Sequence, residues 1–243
     1  MMCNKYFIIL SLFFSFIFAC AQDNKPENTK GDINMIINLP EPNMKGTRSL
    51  EESLANRRSI RSYKDEPLLL EEVSQLLWAA YGITKPLAGA PPFLRGGLRT
   101  APSAGALYPL EIYILAGHVK ELKPGIYHYN SENHTLKLVK FGDFRKAICT
   151  AALEQLMLEY APVTIIYSAI FERTTGKYGQ RGRDRYVCMD LGHSAQNVCL
   201  QATALGLGAC AVGAFHDDSV KKIAGMSEDE EALYLIPVGR VTK

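Results

Sequence analysis

Apolar positions recur at helical spacing after Leu70: Val73, Leu76, Leu77, Ala80 and Tyr81 share one face, and Gly82 follows where a C-terminal glycine belongs. Upstream, Ser49-Leu50-Glu51-Glu52 has the form of a capping box, in which Ser and Glu three apart satisfy each other's helix-start amides. It predicts a short helix running into Arg57-Arg58-Ser59. Leu110 to Ala116 is a strand candidate, Val163 to Ile170 is expected to be a buried strand, and Ala232 to Val238 the last strand. Gly125 to Val139 predicts a hairpin turned at Asn130-Ser131-Glu132-Asn133. One long helix is expected over Phe144 to Tyr160 and another over Met189 to Leu205. A polar, arginine-rich segment, Glu172 to Arg185, lies between them. Ala88 to Ala106 is rich in Gly, Pro and Ala and predicts a loop over exposed or ligand-lined space. Helices and strands mix without regular βαβ alternation, which favours an α+β layer over a doubly wound sheet.

The N-terminus follows a different pattern. Lys5 is the only charge in the first twenty residues, Tyr6 to Phe18 is uncharged and apolar, and Ala19-Cys20 follows. This stretch is shorter than the roughly twenty residues of a membrane span and suits the apolar region of a signal peptide. Ile17-Phe18-Ala19-Cys20 resembles a bacterial lipobox, so Cys20 is a candidate for lipidation. Residues 1–20 are expected to be a leader, 21–38 a polar tether and 39–243 the folded domain. The expected location is the bacterial cell envelope, with the protein anchored as a lipoprotein on a membrane face that the sequence leaves open.

With 47% hydrophobic and 21% charged residues, the chain can bury one core of about 200 residues. Its net charge is +2 and it contains no basic run of five, so a nucleic-acid partner is not expected. Basic residues cluster at 57–61 and 173–185, which suits local anion sites. Beyond Cys3 and Cys20, four cysteines remain: Cys149, Cys188, Cys199 and Cys210. Their spacing fits no zinc motif, and their apolar surroundings predict buried small hydrophobes, with disulfides left open.

Gly206-Leu207-Gly208-Ala209-Cys210-Ala211 fits a loose dinucleotide pattern. That fingerprint requires glycines that open a helix, and these follow one. Arg57-Arg58-Ser59-Ile60-Arg61 is an anion site or a solvated helix end, because guanidinium forks and a hydroxyl suit phosphate but also suit water. His193 is expected to be a satisfied structural histidine on a buried helix. Asp217 or Asp218, after His216, is expected to cap a helix, and no metal is assigned.

Taken together, several segments resemble the FMN-dependent nitroreductase superfamily. Arg57-Arg58-Ser59-Ile60-Arg61-Ser62-Tyr63 resembles its N-terminal FMN signature, and Pro102-Ser103-Ala104-Gly105-Ala106-Leu107-Tyr108-Pro109 its second flavin loop. The latter form, with Glu111 and Tyr113 behind it, is similar to the SagB-type dehydrogenase branch. So are Leu76 through Gly82, Lys177-Tyr178, Gly192-His193 and Gly206 through Phe215, in order from about Leu39 to Val241.

The resemblance implies a nitroreductase-like fold, with a central, mostly antiparallel sheet flanked by helices in a domain-interlocked homodimer with FMN at the interface. It implies that Arg57, Arg58 and Ser59 hold the phosphate and ribityl chain and that Arg61 approaches the pyrimidine edge. Pro102, Ser103, Ala104 and Gly105 would meet the flavin of the other protomer. Val212, Gly213 and Ala214 would offer backbone amides to its N5/O4 edge, and Arg240 is a further phosphate candidate. Lys177 and Tyr178 would remove a proton while hydride moves to N5, although the residues alone equally suit a solvated loop with Tyr178 as its packing anchor. Arg173, Arg181 and Arg185 could gather an anionic substrate or pair with nearby acids.

The implied activity is FMN-dependent two-electron (hydride) transfer on a small organic or peptide-derived substrate. The alternatives are an NAD(P)H-dependent nitro or quinone reductase and a membrane-tethered flavin-binding module without turnover.

Overall fold

The computed structural model describes residues 35–89 and 91–242. The expected leader, Cys20 and the tether up to residue 34 lie outside the described residues. Strand β1 (Ile36–Asn38) already pairs with β6, so sheet pairing begins three residues before Leu39.

Seven strands form one sheet in the order β1-β6-β5-β4-β7-β9-β8, and every pairing is antiparallel. They are β4 (Leu110–Ala116), β5 (Gly125–Asn130), β6 (Thr135–Phe141), β7 (Val163–Ile170), β8 (Leu207–Ala209) and β9 (Glu230–Arg240), together with β1. Strand side chains alternate between faces, and in β4 both sets are buried. Leu110, Ile112, Ile114 and Ala116 meet α2 (Leu70–Tyr81) and α6 (Val187–Ala204). Tyr113 and Leu115 face the opposite layer, built from α3 (Arg145–Ala151), α4 (Met157–Tyr160) and α7 (Asp217–Ala224). Two-sided burial is why β4 and β7 are mostly apolar instead of alternating with polar residues.

Helix α1 (Leu50–Asn56) has the expected capping box: Glu52 N–H donates to Ser49 Oγ at 3.0 Å, and Ser49 N–H to Glu52 Oε2 at 2.8 Å. α2 ends at Gly82, but in extended backbone (φ −63°, ψ 152°), not a left-handed cap. The glycine is needed for space, since a β-carbon there would collide with the Trp78 ring.

Four expectations change. The long helix over 144–160 is two helices, α3 and α4, separated by Leu153 and Glu154 at positive φ. The 88–106 loop contains strand β3 (Gly97–Arg99), paired with β2 (Ile83–Pro86). The polar segment 172–185 is helical: α5 (Glu172–Tyr178) and a π-type turn at Gly182–Tyr186 lead into α6. Its polar residues mostly face outward, while Thr174 and Gly182 pack inward. His216, not Asp217 or Asp218, occupies the N-cap of α7, and no side chain caps it; both aspartates lie in the first turn. There they favour the positive end of the helix dipole.

Candidate active site

Arg57 ends α1 in extended backbone, and the chain then runs alongside β8. Ser59 forms a parallel bridge with Ala209, and Ile60 N–H donates to the Ala209 carbonyl at 3.0 Å. This close approach requires Gly208, where a β-carbon would lie 2.6 Å from the Ile60 side chain. The glycines of 206–208 therefore serve packing: Gly206 (φ 72°) follows α6, and Gly208 lies under the arginine segment.

On this sheet edge Arg58, Ser59 and Arg61 are exposed and Arg57 is half-buried. Arg58 donates to the carbonyls of Ala55 (2.9 Å) and Arg57 (2.8 Å). None of the three arginines has an acidic partner among the described residues. Three arginines without a carboxylate partner leave guanidinium donors free for an anion. Downstream of β8, Val212 departs from its implied role, because its N–H is committed to the Leu235 carbonyl at 2.8 Å. Gly213 and Ala214 are exposed, and their amides have no backbone acceptor among the described residues. Arg240 is also engaged: its fork grips Glu72 at 2.7 and 2.8 Å, so its side chain serves as an ion-pair partner.

A second group forms around Pro102 to Gly105. Gly105 has φ 63°, and a β-carbon there would lie 2.8 Å from Tyr178 Oη and 3.2 Å from Lys177 Nζ. The fold thus brings Lys177 and Tyr178, at the end of α5, onto the backbone of a loop more than seventy residues earlier. Tyr178 packs edge-on against Tyr186, with ring centroids 5.0 Å apart. Arg181 donates to the Tyr186 hydroxyl at 2.8 Å, whereas Arg173 pairs with Glu111.

The residue that sequence reasoning missed is Asp190. Buried on α6, it accepts from Ser103 Oγ (2.5 Å) and Ala104 N–H (3.2 Å), and Ser103 Oγ in turn accepts from Tyr108 N–H (2.9 Å). Desolvation raises its pKa, opposed by the bonds from Ser103 and Ala104. Nothing near it in sequence marks this aspartate, since its partners lie on a loop 86 and 87 residues away.

α6 connects the two groups. Asp190 holds the loop, and α1, which ends at Arg57, packs against the same helix. His193 is exposed on this helix, as are Cys188, Met189, Gly192 and Gln196, so neither His193 nor Cys188 is the buried residue expected. The reason is helical phase: these positions turn away from the sheet. Cys149 and Cys210 are buried, Cys199 is half-buried, and all four thiols are free. Among the described residues no acidic, His or Cys group is placed to hold a metal, and no helix is long and apolar enough to cross a membrane.

The sequence profile of the nitroreductase family matches residues 54–240. A protein of Methanocaldococcus jannaschii described as a nitroreductase is 44% identical over 191 residues, covering 79% of this chain and 90% of its own. The microcin B17-processing protein McbC of Escherichia coli is 28% identical over 137 residues, 54% of this chain and 49% of its own. Among solved structures, a Ralstonia eutropha protein also described as a nitroreductase superposes with a TM-score of 0.72 at 28% identity, covering 88% of this chain and 92% of its own. The chain belongs to the nitroreductase family of oxidoreductases.

Proposed function

We propose that the protein binds FMN between two copies of the chain and carries out two-electron oxidation or reduction of a small organic or peptide-derived substrate. The observation that carries this reading is the trio Arg57, Arg58 and Arg61, without a carboxylate partner among the described residues, on the segment that pairs with Ala209 of the edge strand β8. Arg57, Arg58 and Ser59 hold the phosphate and ribityl end, and Arg61 places a cation at the ring's pyrimidine edge. FMN supplies hydride transfer at N5 when bound. Lys177 and Tyr178 stand against Gly105 with their polar ends together, an arrangement suited to moving a proton at the substrate. The likeness to a microcin-processing protein favours a peptide-derived substrate.

The proposal of two copies draws on exposed apolar surface. Leu50 and Leu54 on α1 and Met189 on α6 are 60%, 53% and 50% exposed, on helices that pack together. The leader and Cys20 extend the proposal to a lipid-anchored protein of the bacterial envelope. A second reading is reduction of nitro compounds or quinones by NAD(P)H, and the description of the M. jannaschii relative as a nitroreductase favours the nitro substrates.

A visible spectrum of the purified protein, with identification of any released cofactor, tests the flavin. Colourless protein that takes up no added FMN would sink both readings. Stopped-flow reduction by NADH, NADPH and candidate substrates then separates the two, and a flavoprotein that none of them reduces is a binding module.

A further inference from the structure

A second concentration of charge lies in a cleft of about 150 Å³ beside Tyr81, between β4, β5 and the 131–132 turn. Two guanidinium groups and a histidine converge there on one carboxylate, and a third guanidinium, that of Arg99, lines the cleft beside them. Glu111 Oε1 accepts from Arg95 at 2.8 Å and Arg173 at 2.5 Å, and Glu111 Oε2 lies 2.8 Å from His128 Nε2. Arg95 and Arg173 share this anion, and Arg99 has none. Among the described residues, its only hydrogen bond runs from Nη2 to the Arg95 carbonyl at 3.1 Å.

The Arg99 guanidinium lies over the rings of Tyr81 (4.5 Å) and Tyr108 (4.8 Å). Its Nε is buried without an acceptor, as is that of Arg95. Glu132, in the turn that lines the cleft, makes no ion pair with it. Three arginines against Glu111 and Glu132 leave a surplus of one positive charge, counting His128 as neutral. Desolvation lowers the pKa of both Arg95 and Arg99, the mark of cations short of compensation. The cleft is nonetheless reachable, because the side chains of Arg95 and His128, which line it, keep 20% and 29% of their surface in solvent.

We propose that this cleft is a binding site for a small monocarboxylate, or for the carboxylate head of a larger ligand, held by the free donors of Arg99 beside Arg95 and His128. A guanidinium fork matches a planar carboxylate. One surplus charge matches a monoanion, and the two carboxylates at the cleft oppose a phosphate dianion. The volume is roughly that of five waters, enough for an acetate-sized group. The site also adjoins the loop against which Lys177 and Tyr178 pack. Arg95 and Arg173 both donate to the Tyr108 carbonyl at the end of that loop, and Arg173 precedes Lys177 by one turn of α5. A carboxylate here anchors one end of a substrate near the Lys-Tyr pair. That role rests on the proposed oxidoreductase reading, whereas binding itself does not.

The test is a titration of the full-length protein with sodium acetate at constant ionic strength, read by NMR at the His128 ring, with acetamide as the neutral isostere. Acetate should give a saturable shift and acetamide none. Arg99→Gln should weaken binding about tenfold or more. Glu132→Gln, in an exposed turn, should tighten it about threefold by removing a like charge. No saturation with acetate, an equal response to acetamide, tighter binding of inorganic phosphate, or unchanged affinity in the variants each overturns the proposal. If Arg99→Gln does not fold, unchanged affinity in Glu132→Gln suffices. Flavin absorbance on the same samples keeps the ideas separate. FMN-loaded protein that ignores acetate sinks only the cleft, and colourless protein that binds acetate sinks only the flavin.

Discussion

Tyr178 and Gly105 are in contact because residue 105 has no side chain: a β-carbon there would lie 2.8 Å from the tyrosine hydroxyl. The left-handed backbone of Gly105 (φ 63°) adds a second reason for glycine. Gly105→Ala is therefore expected to push Tyr178 and Lys177 off the loop and to cost about 1–2 kcal/mol of stability. Substrate-linked flavin reduction, measured per bound flavin, should slow. A crystal structure of the variant with Tyr178 unmoved would refute the steric argument.

If Lys177 and Tyr178 handle a proton, Tyr178→Phe removes the acid–base group and keeps the ring packed on Tyr186. Flavin reduction by substrate should fall by about 10²-fold or more with cofactor content intact. A normal rate in stopped-flow would return Tyr178 to the role of packing anchor.

Asp190 ties α6 to the Pro102–Gly105 loop through Ser103. Ser103→Ala leaves a buried carboxylate short of one donor and should cost about 1–3 kcal/mol. Because the folded pKa of Asp190 is raised, the native state holds its proton longer than the unfolded chain does. Its contribution to stability therefore falls as pH rises from 3.8 through the raised native value. Thermal melts across that interval should show this decline in the parent and not in Asp190→Asn.

Glu111 works in the opposite direction. Burial alone would raise its pKa, but His128, Arg173 and Arg95 together bring it down to about 2. With an ordinary value of 4.5, the stabilisation is complete above that pH and lost as pH falls through about 2. Its size is of order 3 kcal/mol. Glu111→Gln should lose most of this at pH 7 and progressively less on acidification, as read by urea unfolding at several pH values.

Arg240 and Glu72 form a bidentate pair whose side chains are 26% and 15% exposed. Arg240→Gln and Glu72→Gln should each cost about 1–3 kcal/mol, and the double variant less than their sum. Unchanged FMN affinity in Arg240→Gln would settle that this arginine braces the fold. A large drop would restore it as a phosphate ligand.

The local features were legible in the sequence. Ser49 and Glu52 cap each other within four residues, and Leu110 to Ala116 and Val163 to Ile170 carry their burial in composition. The arginine segment and the Pro102–Gly105 loop were legible as motifs. What the sequence hid depends on distant partners. The break between α3 and α4 falls at Leu153 and Glu154, which take positive φ without a glycine or proline to announce it. The helical character of 172–178 was masked by charge, because its anchors, such as Thr174, are few and its outer face is polar. Asp190 looked like one more polar helix residue, and only the tertiary fold sets it under Ser103. Val212 was assigned a free amide that the bridge to Leu235 had already used.

The bridge between Ser59 and Ala209 has a further consequence. β8 is the last strand of the sheet, and a bare terminal strand invites other chains to pair with it. The segment bearing Arg57, Arg58 and Arg61 occupies that vacancy and lines it with like charges. The stretch proposed to grip the phosphate thus also shields this edge from stray strand pairing with other chains. Neutralising its arginines would weaken both duties together, so loss of cofactor and a tendency to aggregate should be inherited as one trait.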